Sequence, residues 1–237
     1  MPDRHPPTEV SRETPQHASP ENQREAFAHH FPVSHETMQK LDRYAALLTE
    51  WNEKFNLVAT STIPLLWERH FLDSAQLFPL IPTPATTRLI DLGSGAGFPA
   101  LVLAILGVGE VHCLESTGKK ARFLEEVAKE LGLPVTVHAE RIEAVKGLKG
   151  NVITARALTA LPDLLKLSKP FMEKESFCLF LKGEKADAEL TDCRKYWTFR
   201  ATKTRSSTSQ NGVILHISDI ERTAFHEFKH PHRSKRP

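Results

Sequence analysis

The sequence predicts an α/β fold: a mostly parallel sheet with helices on both faces, preceded by a small helical region. Three observations predict it. Short apolar runs that read as strands alternate with helix-length amphipathic stretches. One such run sits in TRLIDLGSGAGFP (87–99), where Gly93, Gly95 and Gly97 follow at alternate positions and the apolar stretch 98–108 continues. This is the grammar of a strand, a glycine-bent turn and a helix start. The next strand-like run, VHCLES (111–116), carries Glu115 22 positions after Gly93. At that spacing a nucleotide-binding sheet places an acidic residue for a pair of ribose hydroxyls.

Length and composition set the bounds. A chain of 237 residues, 40% of them hydrophobic, suits one α/β domain with an appendage. The net charge of +2 conceals asymmetry: residues 1–32 hold five carboxylates against three arginines, and 222–236 hold five Lys/Arg against Glu227. A basic end is compatible with a nucleic-acid partner without demanding one. Cys113, Cys178 and Cys193 are unclustered, so neither a disulfide framework nor a metal site is expected. No signal-like start and no apolar stretch of bilayer length is present, so a cytoplasmic protein with no membrane partner is expected.

Residues 1–33 hold six of the sixteen prolines and little apolar clustering, and a disordered extension is expected there. Its His5, His17, His29 and His30 read as solvated side chains rather than a metal tail. The helical region spans 34–80. Ser34 is a plausible N-cap, and Met38, Leu41, Ala45, Leu48 and Trp51 recur at helical spacing to about Trp51. A second helix is expected from a cap at Ser61 or Thr62, with Pro64 in its first turn and Ile63, Leu66, Trp67, His70, Phe71, Ser74 and Phe78 in one stripe. The helical region as a whole would either pack against the sheet or form a substrate-side surface, with Lys54, Arg69 and His70 as its polar members. The sheet domain spans 81–218. Its helix from Thr117 places Lys119, Lys120 and Arg122 in the first turn, against the dipole preference, as either a solvated basic face or a hold on phosphate. Strands follow at 134–138, 151–154 and 177–181. A late strand at 212–217 can pair with 196–203 as a hairpin, and 219–237 reads as a basic, flexible tail. Asp91–Gly97, Glu115, Ile142, Glu143, Arg156 and Lys182 all fall just past strand ends, where such sheets bind ligands.

The glycine run is not the dinucleotide fingerprint, because G-x-G-x-x-G would need glycine where Phe98 stands. D-x-G-x-G-x-G resembles instead motif I of the class I S-adenosylmethionine (SAM) methyltransferases, a Rossmann-like fold. WNEKFNLV (51–58), RHFLDS (69–74), IDLGSGAGFP (90–99), LES-GKK-FL (114–124), ERIE (140–143), ITARAL (153–158) and LKG (181–183) occur in that order. Together, over roughly 36–218, they resemble the RsmG or GidB family. That family methylates N7 of one guanine in bacterial 16S ribosomal RNA (guanine 527 in the rRNA numbering the family uses). The resemblance implies SAM as cofactor, with Gly93 and Phe98 in contact with it and Gly95 and Gly97 shaping the loop. It implies that Glu115 holds the ribose hydroxyls and that Ile142 and Glu143 flank the adenine. Arg156 would sit beside cofactor and substrate as a positioning group. Ala100 departs from the glycine usual after the proline.

Methyl transfer to guanine N7 needs no general base, since N7 offers an in-plane lone pair and carries no proton. The chain shows no obvious acid–base pair and no cysteine after proline for pyrimidine chemistry. It reads TARAL where amino-group methyltransferases commonly carry Asn/Asp-Pro-Pro-aromatic. The expected partner is 16S rRNA within the small ribosomal subunit, met by a monomer. Lys54, Arg69, Lys119, Lys120, Arg200, Lys203, Arg205 and the tail are the candidates to touch phosphate. A methyltransferase of another substrate, a non-catalytic RNA-binding module and, more distantly, an NAD enzyme are the rival readings.

Overall fold

A computed structural model describes residues 19–223. Seven strands form one sheet in the order β3-β2-β1-β4-β5-β7-β6. They are β1 (Arg88–Leu92), β2 (Glu110–Leu114), β3 (Val135–His138), β4 (Gly150–Arg156), β5 (Met172–Lys182), β6 (Trp197–Arg205) and β7 (Val213–Arg222). The first five are mutually parallel, and β7 lies antiparallel between β5 and β6. The late strands are the expected hairpin. Strand order reverses beside β1, with β2 on one side and β4 on the other, which opens a crevice at the strands' carboxyl ends.

Alternation along β1 divides two cores. Leu89 faces one, with Val111, Cys113, Phe123 and Leu124; Ile90 and Leu92 face the other, with Ile153, Leu161, Leu165 and Phe180. On the second face lie α6 (Leu161–Ser168) and α7 (Ala186–Cys193). On the first lie α4 (Ala100–Ile105) and α5 (Gly118–Glu130), with the helical region packed over them.

That region departs from expectation in three places. Residues 20–30, placed in the disordered extension, form a helix, α1 (Pro20–His30), capped by the Ser19 side chain. Averaging composition over 33 residues hid a local signal: Phe27 is fully buried, edge-on to Trp67, and Arg24 makes a two-point ion pair with Asp42. Residues 1–18, and His5 and His17 with them, lie outside the described residues. Second, α2 (His35–Phe55) does not stop near Trp51 but runs one turn further, to a left-handed Asn56. Its buried face is Met38, Leu41, Tyr44, Leu47 and Leu48, so Tyr44 enters the core and Ala45 stands at its margin. Third, the second helix has no cap at Ser61 or Thr62. It is a 3₁₀ segment (Thr60–Leu65), a π-helical turn (Trp67–Leu72) and one turn of α3 (Asp73–Ala75). The expected stripe still turns inward at Leu66, Trp67, His70, Phe71 and Ser74.

At the far end β7 continues to Arg222, so 219–222 belong to the sheet rather than to a tail, and 224–237 lie outside the described residues. Sequence reading also missed α7. The three cysteines are free and buried, and no helix of the described residues is long and apolar enough to cross a membrane.

Candidate active site

The glycine turn is bound to the end of β2. Gly93, Gly95 and Gly97 all have positive φ, of 67, 58 and 97°. That curl lets the amides of Gly93 and Ser94 donate to the Leu114 carbonyl at 2.9 and 3.1 Å, and the Gly95 amide to Glu115 Oε2 at 2.9 Å. Glu115 Oε1 accepts the Thr117 amide at 2.7 Å. The amides of Gly97 and Phe98 return to the Ser94 carbonyl. A phosphate-binding turn aims such amides at its anion. Here they are consumed inside the protein, which argues against the pyrophosphate of a dinucleotide and for a ligand without phosphate.

A cavity of about 360 Å³ opens beside this turn. Gly93, Gly95, Glu115, Ile142 and Glu143 all line it, together with Leu158 and Lys120. Five of the eight predicted binding residues therefore meet at one place. Leu158 lies against the bare Cα of Gly93, where a Cβ would come within 2.7 Å of its Cδ1. Gly97 and Phe98 do not line the cavity. Gly97 backs onto Leu101 and the Tyr44 hydroxyl, and Phe98 is buried behind the turn, stacked on His70 at 4.7 Å and on Tyr44 at 5.4 Å. The Tyr44 hydroxyl donates to the Ala96 carbonyl. Both residues thus shape the turn from behind.

Asp91, at the end of β1, is fully buried. Its Oδ1 accepts from the Thr154 hydroxyl at 2.7 Å, while Oδ2 has no partner among the described residues. Burial pushes its carboxyl up to about 6, against the hydrogen bond from Thr154 and the charge of Arg156.

Arg156 ends β4 and lines a second cavity, of about 410 Å³, with Asp73, Lys182, Glu189 and the hairpin residues Ser206 and Ser209. Ala157, itself at φ 52°, lines both cavities and is their shared wall. Three groups fix the guanidinium. Nη1 donates to the Arg69 carbonyl at 3.1 Å and to Asp73 Oδ2 at 3.2 Å, Nη2 to His70 Nδ1 at 2.9 Å, and the group lies 5.0 Å over the Phe98 ring. Since His70 Nδ1 accepts, the ring carries its proton on Nε2, 2.9 Å from the Thr62 hydroxyl, which donates in turn to the Ala59 carbonyl. Burial, then the charges of Arg156 and Arg69, bring His70 down to about 3, so it is a neutral acceptor throughout the physiological range. Asp73 Oδ1 also takes the Thr208 hydroxyl at 2.7 Å, tying the β6–β7 turn to this cluster.

The basic candidates scatter. Lys203 pairs with Asp187, and Arg200 with Asp219, on exposed ground where such pairs are weak. Lys120 lines the first cavity, while Lys119 is exposed. Tyr44, Asp73, Leu158 and Glu189 escaped the sequence reading. Signals were available for three of them: a hydroxyl-bearing ring within the apolar stripe of α2 for Tyr44, and the stretches RHFLDS and ITARAL, which contain Asp73 and Leu158.

A family model described as GidB, rRNA small subunit methyltransferase G, matches residues 37–218. The chain belongs to the GidB family. Ribosomal RNA small subunit methyltransferase G of Rhodospirillum centenum is 52% identical over 190 residues, spanning 80% of this chain and 88% of that one. Its counterpart from Rhodospirillum rubrum is 46% identical over 198 residues, spanning 84% and 98%. Among solved structures, ribosomal protein L11 methylase of Lactobacillus delbrueckii subsp. bulgaricus aligns with a TM-score of 0.51 at 19% identity, over 61% of this chain and 76% of that one, a likeness of fold. Within the GidB match fall the glycine turn, Glu115, Arg156 and Lys182.

Proposed function

We propose that this GidB-family protein transfers a methyl group from SAM to N7 of one guanine in small-subunit ribosomal RNA, acting as a monomer in the cytoplasm. The observation that carries the reading is the pair of cavities sharing Ala157: one built on the glycine turn and Glu115, the other rimmed by Arg156 and Lys182.

The residues present fit the cofactor. The turn offers a close approach at Gly93 and Gly95 without a phosphate nest. Both Glu115 oxygens accept one amide each and keep lone pairs for a ribose diol. Ile142 supplies an apolar wall beside Glu143. Bound SAM supplies a methyl group on an electrophilic sulfonium.

The protein's part is positioning and electrostatics. Arg156 is held on three sides, so it presents charge at the second cavity with little freedom left to lose. Asp73 compensates that charge, and neutral His70 orients it without adding repulsion. Guanine N7 needs no deprotonation, which agrees with a second cavity in which two of the three lining carboxylates, Asp73 and Glu189 but not Glu184, are engaged by cations among the described residues. The hydroxyl-rich β6–β7 turn, Ser206 to Ser209, lies at the cavity mouth where an RNA backbone would pass.

The test uses small subunits from bacteria lacking this methyl mark, incubated with the protein and isotopically labelled SAM and mapped by nuclease digestion and mass spectrometry. Label as 7-methylguanine at one site is expected. Label on another atom or base, or none while SAM still binds, refutes the target.

A further inference from the structure

Lys182 and Glu189 form the most enclosed ion pair on the wall of the second cavity. Lys182 Nζ lies 2.6 Å from Glu189 Oε2, and the two side chains are 11 and 22% exposed. The pair is anchored on both sides. Lys182 donates to the Thr159 carbonyl at 2.9 Å, and Glu189 Oε2 accepts the first amide of α6, Leu161 N–H, at 2.8 Å. Two of these three contacts fall on the same carboxylate oxygen, Glu189 Oε2. Lys182 therefore has a third N–H unused, and Glu189 Oε1 has no hydrogen-bond partner among the described residues. The wall presents one spare donor and one spare acceptor side by side, held by backbone groups of the segment 159–161 that follows Ala157.

That juxtaposition has a chemical counterpart. Guanine's Watson–Crick edge sets an acceptor, O6, next to a donor, N1–H. Adenine sets a donor, the 6-amino group, next to an acceptor, N1, and so meets the same wall with both signs reversed. Docking guanine by this edge leaves N7 unengaged. We infer that Lys182 and Glu189 are the guanine-reading pair of the site, with Lys182 donating to O6 and Glu189 Oε1 accepting from N1–H of an unstacked guanine. This rests on the guanine-N7 reading and adds the residues that choose the base. Recognition of this kind discriminates strongly, because the wrong base leaves two half-buried charged groups facing groups of their own polarity. Arg156 and the hairpin turn are left to handle the sugar and phosphates.

A double-substitution cycle between protein and RNA tests it. Glu189→Gln keeps an amide oxygen for the Leu161 amide but removes the charge and the spare acceptor. On the RNA side, 2-aminopurine at the target position retains N7 and the 2-amino group while losing O6 and N1–H. Small subunits reconstituted with either base are methylated with labelled SAM, and kcat/KM is measured for both proteins.

Glu189→Gln is expected to lower kcat/KM on guanine about 10- to 100-fold, with SAM affinity within about twofold of the unmodified protein. On 2-aminopurine the same change is expected to cost about threefold or less, because the contact is already gone. Equal losses on both bases would mean a structural role and overturn the inference, even though 7-methylguanine from the unmodified protein keeps the functional reading standing. Failure of the unmodified protein to make 7-methylguanine brings down that reading, and the base-reading pair with it. If Glu189→Gln fails to fold, Lys182→Gln carries the same cycle, with the same expected and refuting patterns.

Discussion

Three glycines in one turn carry the same sequence signal, yet the structure assigns them different work, and alanine at each separates the roles. All three have positive φ, so each alanine costs about 1–2 kcal/mol of backbone strain. At Gly95 that is nearly the whole cost, since the nearest atom to an added Cβ is the Gly93 carbonyl oxygen at 3.9 Å. At Gly93 the Cβ would lie 2.7 Å from Leu158 Cδ1. Leu158 is 37% exposed, so its tip can swing away and folding loses little more. The displaced leucine and the new methyl then intrude on the first cavity. At Gly97 the Cβ would lie 2.5 Å from Leu101 Cδ1 and 2.8 Å from the Tyr44 hydroxyl, and both side chains are fully buried. Overpacking there adds about 1–3 kcal/mol, for a total of about 2–5 kcal/mol. At about 2–4 °C per kcal/mol for a chain of this size, Gly97→Ala should lower Tm by about 10 °C and Gly93→Ala by about 3–6 °C. Calorimetric titration should then show SAM binding at least about tenfold weaker in Gly93→Ala, with its fold intact by circular dichroism. The reasoning fails if Gly97→Ala melts with Gly95→Ala, or if Gly93→Ala binds SAM as tightly as the unmodified protein.

Two further outcomes are expected. His70 is held near 3 in the folded state against about 6.5 unfolded, so between those values the unfolded chain binds the extra proton. Its contribution to stability is complete above pH 6.5 and is lost at up to about 1.4 kcal/mol per pH unit as pH falls. Urea unfolding of the unmodified protein and His70→Asn at pH 7.5 and 5.5 should show their difference shrinking by about 1.4 kcal/mol, and a pH-independent difference would remove the buried neutral imidazole from the account. Exposed Lys119, at the start of α5, is either a solvated cation or a hold on phosphate, and salt dependence separates the two. Lys119→Ala should reduce the slope of log affinity for small-subunit RNA against log salt by about one, and an unchanged slope would leave that side chain solvated.

The sequence by itself determined the order of the strands, the turn after β1 and the acidic partner after β2. These depend on local constraints: alternation of apolar residues, backbone angles cheap only for glycine, and a fixed distance from one strand end to the next. It also brought Gly93, Gly95, Glu115, Ile142 and Glu143 forward together, since in a parallel sheet every strand's carboxyl end opens on the same edge. Tertiary structure alone decided the rest. Phe27 fixes α1 because Trp67, 40 residues away, covers it. Phe98 stands behind the turn because Tyr44 and His70 stack against it from the helical region. Arg156 is a held group rather than a mobile charge because Arg69, His70 and Asp73 converge on it from more than 80 positions upstream. Glu189 reaches Lys182 only because α7 packs beside α6 at the end of β5. Such pairings leave no periodicity and no spacing in the chain. They arise from packing one element on another, which places a charge in half-buried surroundings where it must find its counterpart.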